Sequence, residues 1–251
     1  MTSFTATGLG FVAALAACTT GSSTNTGADA PSGTTITVMG AADAVASNQS
    51  LTALGGAALA PYTASGDSAG PATTSSSAGA TVGAFTLNVK SPFTGYIKAT
   101  ATGYVDTYAW PPGTVSADLT GATIELITED TLTSLYGADN CDVGGGQNAA
   151  EGVVALRVVA FSGATATPVA HATVTTSSAP ADQKICYLAP DGADEQPSAA
   201  ATQTDASGIV WILNSAVGSL TVTATAPGHT FMPTIVAPVA TTFTTTLVAG
   251  S

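Results

Sequence analysis

The sequence predicts an all-β protein built as two tandem β-sandwich modules, with a short helix in the connector between them. Three observations carry this expectation. The 251 residues are 45% hydrophobic and only 8% charged, with 27 glycines, and Thr, Ala, Ser and Val dominate. That mixture suits short strands and small-residue loops rather than helices, and no amphipathic run of helical period exceeds about three turns. Leu220, Val222, Ala224 and Ala226 alternate with Thr221, Thr223 and Thr225, the period-2 pattern of a strand with one dry and one wet face. Finally, Ala99-Thr-Ala-Thr-Gly103-Tyr104 and Ala224-Thr-Ala-Pro-Gly228-His229 repeat one pattern 125 residues apart. Self-similarity of this kind marks two copies of one structural unit.

Charge narrows the function. The net charge is −12, and Lys90, Lys98, Arg157 and Lys184 are the only basic side chains. Nucleic-acid binding needs clustered Lys and Arg to neutralise phosphates, so no nucleic-acid partner is expected. A basic patch for anionic lipid is missing for the same reason.

Residues 4–17 form an apolar run of secretory length, too short to span a bilayer. The run ends in Leu15-Ala16-Ala17-Cys18. This resembles the lipobox of bacterial lipoproteins, although residues 1–17 carry no Lys or Arg. The resemblance implies a signal peptide over 1–17, lipidation of Cys18 and a bilayer partner reached through that lipid. It also implies an outer-membrane or cell-surface destination, because position 19 is Thr and not Asp. The other reading is an ordinary buried apolar segment. Residues 18–33, rich in Thr, Ser, Gly and Asn, read as a flexible tether.

Module 1 is placed at 34–128. Thr34–Val38 reads as its opening strand, and Gly55–Leu59 as a strand of small residues. Ser65–Ala80 reads as a loop. Phe85, Leu87 and Val89 share one face of a strand, Tyr96–Tyr104 follows as another, and Gly121–Ile127 closes the module. The connector is 129–150. Thr128 as N-cap, with Glu129 and Asp130 in the first turn, predicts two turns of helix.

Module 2 is placed at 151–251. Val154, Leu156, Val158 and Ala160 mark one face of its first strand, and Pro168–Val174 is a second. Lys184–Ala200 is a long excursion. Thr202–Leu213 reads as a hairpin, closed by Asp205 accepting from backbone N–H groups and by Gly208 at positive φ. The alternating strand and then Val239–Leu247 complete the module.

In the second copy the order Pro168-Val-Ala-His-Ala-Thr-Val174, Thr204-Asp-Ala-Ser-Gly208, Val222-Thr-Ala-Thr-Ala-Pro-Gly228-His229 resembles the carboxypeptidase regulatory-like domain. His171 stands where that family often has Gly. The first copy matches more weakly, with Thr102 in place of Pro227 and no Thr-Asp-x-x-Gly turn. The resemblance implies a transthyretin-like (Ig-like) β-sandwich, an accessory or surface role and no catalytic residues.

The residues themselves point the same way. Catalysis needs converging titratable groups, and the two histidines, His171 and His229, supply no metal triad and no nucleophile–base pair. With Cys18 lipidated, Cys141 and Cys186 remain. In an exported protein they form either a disulfide, worth about 4 kcal/mol in the chain-entropy model, or two free thiols. A disulfide would gather Asp139, Asp142, Asp191, Asp194 and Glu195, either as a calcium site or as a solvated acidic rim. Calcium is the one cofactor this cluster suggests. Tyr104, Tyr108 and Trp110 form the densest aromatic patch, either a platform for stacking sugars or a cover over the sandwich end or the module junction. The sequence thus predicts a lipid-anchored, non-enzymatic envelope module that contacts an envelope protein, or alternatively a carbohydrate-binding adhesion module.

Overall fold

The computed structural model describes residues 34–46, 49–137, 140–163, 165–188 and 197–251. The signal peptide, the tether and Cys18 lie outside them. The first half contains β1 (Thr35–Val45), β2 (Leu51–Ala53), β3 (Ala58–Tyr62), β4 (Thr73–Thr74), β5 (Ala84–Lys90), β6 (Tyr96–Thr100), β7 (Thr107–Ala109) and β8 (Leu119–Ile127). Helix α1 (Glu129–Leu135) follows. The second half contains β9 (Gly152–Ser162), β10 (Thr165–Pro168), β11 (Thr173–Thr176), β12 (Lys184–Leu188), β13 (Pro197–Ser198), β14 (Ile209–Ser215), β15 (Leu220–Thr225), β16 (Thr234–Val236) and β17 (Phe243–Gly250). The protein is an all-β sandwich, as its sequence predicts.

The two halves repeat one topology. In the first, β1 pairs antiparallel with β5 and β2 and parallel with β8. In the second, β9 pairs antiparallel with β14 and β10 and parallel with β17. The facing ladders correspond too: β3–β6–β7 in one half, β11–β15–β16 in the other. β12 and β13 are additions on the β14 side of the second copy.

Buried backbone groups must be paired, and both copies solve this alike. Ala42 N–H donates to Gly83 O and Val158 N–H to Gly208 O, each at 2.8 Å. Both glycines have positive φ, +83° and +70°. A buried hydroxyl then fastens the next loop in each copy. Ser75 Oγ donates to Leu54 O (2.7 Å) and accepts from Ala57 N–H (2.9 Å). Thr204 Oγ1 donates to Val169 O and accepts from Ala172 N–H, both at 2.8 Å.

The copies are joined through one sheet. β17 pairs on one side with β9 and on the other, in parallel, with β7 of the first copy. Three cores result. Ile36, Leu59, Leu87, Ile97 and Ile124 fill the first sandwich. Leu156, Ile212, Leu220, Val222 and Val248 fill the second. The third lies outside the second sandwich, where Leu132 and Leu135 of α1, with Val105 and Ile127, cover Val153, Ala155, Trp211 and Phe243. Trp211 is fully buried, and its ring stacks on Phe243 at 5.5 Å between centroids. Each fully buried Val, Leu or Ile contributes roughly 1.5–3 kcal/mol.

Several elements follow the sequence pattern. β5 alternates strictly between exposed and buried, and Leu220–Ala224 of β15 alternate between buried and half-buried. Thr128 caps α1, its Oγ1 accepting from Thr131 N–H at 3.1 Å.

Others differ. Thr202–Leu213 is not a hairpin. Asp205 Oδ1 does accept from Ser207 N–H (2.9 Å), but the turn feeds β14, whose partners are β9 and β12. The residues before the turn are held by Thr204, not by a strand. Pro168–Val174 is not one strand either: β10 ends at Pro168 and β11 begins at Thr173. Between them His171 takes φ +60°, which breaks extended backbone. The Ser65–Ala80 loop holds the short strand β4, and the 184–200 excursion opens with β12. Strand β3 begins at Ala58, after the left-handed Gly56 (φ +84°).

Candidate functional site

The junction of the two copies carries the aromatic residues. Tyr62 of β3 and Tyr96 of β6 are partners in register, which stacks their rings 5.4 Å apart. Tyr96 also meets Tyr108 of β7 at 5.2 Å and Trp110 at 5.0 Å. The row therefore runs Tyr62, Tyr96, Tyr108 and Trp110, and it includes two tyrosines that sequence spacing alone does not bring together. Register across three strands, invisible in any one segment, is what assembles it.

The row does not form the predicted platform in full. Trp110 is 6% exposed and belongs to the second sandwich's core, so its face is covered. Tyr104 lies elsewhere, packed on the first core and bridged to Thr128. Tyr62, Tyr96 and Tyr108 are half-buried and keep an accessible side. Lys98 Nζ lies 5.5 Å from the Tyr108 ring centroid and pairs with Asp106 Oδ2 at 2.8 Å. That hydrogen bond holds the Lys98 pKa above its ordinary value. Burial, with Tyr108 and Tyr62 nearby, raises the Tyr96 phenol. The row thus offers neutral aromatic faces beside one cation, a surface suited to stacking and hydrogen bonding.

Cys141 and Cys186 are disulfide-bonded, with Cα atoms 5.8 Å apart. The bridge ties the segment after α1 to β12, and both residues are buried. Of the predicted calcium ligands, Asp139, Asp191, Asp194 and Glu195 lie outside the described residues. Asp142 is exposed, at φ +51°. Among the described residues no group of three His, Cys, Asp or Glu is placed to hold a metal.

A polar cluster lies at the foot of the connector. Asn214 Oδ1 accepts from Asn148 N–H (3.0 Å), and its Nδ2 donates to Gly146 O (3.1 Å) and Asp182 Oδ2 (3.3 Å). Burial, with Asp182 beside it, raises the Glu151 carboxyl. Burial pushes the Tyr136 phenol up to about 12. The network fastens the connector to β14, and its members are too far apart in sequence for a motif to reveal it.

The two histidines line one open groove of about 340 Å³ with Pro168, Val169 and Pro227. His171 Nδ1 lies 2.8 Å from Gln203 Nε2. Among the described residues no carboxylate lines the groove.

No family model matches the chain, and no curated protein matches it. Among solved structures, the chain is similar to the shaft pilin SpaA from Lactobacillus rhamnosus GG, at 13% identity and a TM-score of 0.26, over 87% of this chain and 98% of that one. It is similar to GBS52, the minor pilin of Streptococcus agalactiae, at 12% identity and a TM-score of 0.29, over 86% and 95%. It is also similar to the Bacillus anthracis TIE protein, at 12% identity and a TM-score of 0.24, over 86% of this chain but only 34% of that one. Likeness at this level carries no argument about function.

Proposed function

We propose that the chain is an exported, lipid-anchored, non-enzymatic protein of the cell envelope that serves as a structural or protein-interaction module. The observation that carries this reading is the buried Cys141–Cys186 bridge. Structural disulfides persist in oxidising compartments outside the cytosol, and Leu15-Ala16-Ala17-Cys18 would supply the anchor there. The resemblance of the second copy to the carboxypeptidase regulatory-like domain agrees with an accessory role. Metabolic labelling with a radioactive fatty acid tests the anchor. The expected result is label on the wild type, none on Cys18→Ser, and digestion of the protein by protease added to intact cells. A cytosolic product with free thiols would overturn the reading.

The half-buried tyrosines favour one second reading, a carbohydrate-binding module that stacks sugar rings on Tyr62, Tyr96 and Tyr108. A glycan array separates the two. Binding that is lost in Tyr108→Ala supports the second reading, and an array with no hits removes it.

A further inference from the structure

Two carboxyl groups meet where the connector ends, and no side-chain cation accompanies them. Glu151 stands directly before β9, and Asp182 two residues before β12. Strand β14 pairs with β9 on one side and β12 on the other, which brings the two segments together. The Glu151 and Asp182 side chains are within hydrogen-bonding reach of each other. Among the described residues neither forms an ion pair, Lys184 included, and residues 128–152, 177–183 and 209–244 contain no Lys or Arg. Like charges in contact repel unless one takes up a proton or a cation joins them. The Glu151 carboxyl shows that repulsion: burial raises it, and Asp182 raises it further.

A second observation points at the same spot. Tyr136, the C-cap of α1, is only 6% exposed. Asn214 N–H faces its phenol oxygen, but no group accepts its O–H proton. The Glu151 and Asp182 charges both act on that phenol, so the hydroxyl is aimed at the carboxyl pair. Glu151 Oε2 is itself buried without a partner. Polar groups buried in this way cost free energy. An ion that gathers both carboxylates and the phenol oxygen around itself uses all of them.

The donors decide which ion. Asp182 Oδ2 accepts from Asn148 Nδ2 (3.1 Å) and Asn214 Nδ2 (3.3 Å), which leaves Oδ1 for a ligand. Gly146 O accepts from Asn214 Nδ2 (3.1 Å) and keeps a second lone pair. Asp182 is exposed, so water can complete the shell. Oxygen donors with no nitrogen or sulfur among them suit a hard cation. Donors drawn from a loop, a strand end and a main-chain carbonyl suit calcium, which tolerates irregular geometry, better than magnesium, which demands an octahedron.

We infer that the Glu151 and Asp182 carboxylates bind one calcium ion, with the Tyr136 hydroxyl and Gly146 O as neutral oxygens beside it. The site is distinct from the acidic cluster around Asp142 that the sequence suggests. The ion ties the connector to the start of β12 and, through Asn214, to β14. With two carboxylates its affinity falls in the weak, about millimolar, range of extracellular modules. The site does not depend on the lipid anchor.

Thermal unfolding of the oxidised full chain, with and without calcium at fixed ionic strength, tests this. Calcium at about 10 mM should raise the wild-type Tm by about 2–5 °C. Chelator should reverse the rise, and magnesium at the same concentration should give a smaller one. Glu151→Gln and Asp182→Asn should each lose the rise, and Asp142→Asn should keep it. If Asp182→Asn fails to fold, Glu151→Gln carries the test. Tyr136→Phe should weaken calcium binding severalfold in a calorimetric titration, and unchanged binding there removes the hydroxyl from the site. A wild type whose Tm ignores calcium overturns the proposal. So does an equal rise in Glu151→Gln, which would mean that calcium only screens the net charge of −12, and so does a rise lost in Asp142→Asn alone.

Discussion

Gly56 and His171 occupy the same left-handed position in the two copies, at φ +84° and +60°. Each sits just before the alanine whose N–H meets the buried hydroxyl, Ala57 on Ser75 and Ala172 on Thr204. A side chain at such a φ costs about 1 kcal/mol or more. His171→Gly is expected to stabilise the protein by about 0.5–1 kcal/mol, less the lost Gln203 contact, measured by urea denaturation. A clear loss of stability would mean that the imidazole holds the loop.

Reducing the Cys141–Cys186 bridge should cost about 4 kcal/mol, if the cost follows the entropy of the loop it closes. Cys141→Ala/Cys186→Ala should lower Tm by the same amount as reductant lowers that of the wild type, and reductant should leave the double variant unmoved.

Trp110→Ala should cost about 3–5 kcal/mol, the usual penalty for emptying a large aromatic from a core, since Trp110 packs with Leu156, Val222 and Val248. Tyr62→Ala, at the accessible end of the row, should cost far less. Equal losses at the two positions would contradict the burial difference.

The Glu151 carboxyl is raised by burial and by Asp182, so the folded state holds that proton more tightly than the unfolded chain. Its contribution to stability is full below the ordinary carboxylate value and is lost as pH rises through the raised one. Glu151→Gln should therefore raise Tm by about 2 °C at pH 7 and leave it unchanged at pH 3. A gain of equal size at both pH values would point to packing instead of charge.

The parts of the fold visible in the sequence are those where one face is wet. Thr221 and Thr223 between Leu220, Val222 and Ala224 reveal β15, and Thr128 with Glu129 reveals α1. Ile209–Leu213 shows no alternation because α1 and the second core bury β14 on both faces. Gly83 and Gly208 do the same work behind unlike turns, Thr81-Val82 and Ala206-Ser207, so the first copy looks more divergent in sequence than its backbone is. The aromatic row was half legible. Tyr108 and Trp110 are neighbours in the chain, but Tyr62 and Tyr96 join them only through strand register. The pairing of β17 with β7 uses backbone groups alone, and backbone groups leave no trace in side-chain pattern.

β17 is the last of the described strands to leave the ribosome, yet it fills the gap between β9 and β7. Until it arrives, β7 of the first half and β9 of the second both present an open edge. The two copies therefore cannot lock together until the strand shared by both ladders has been made.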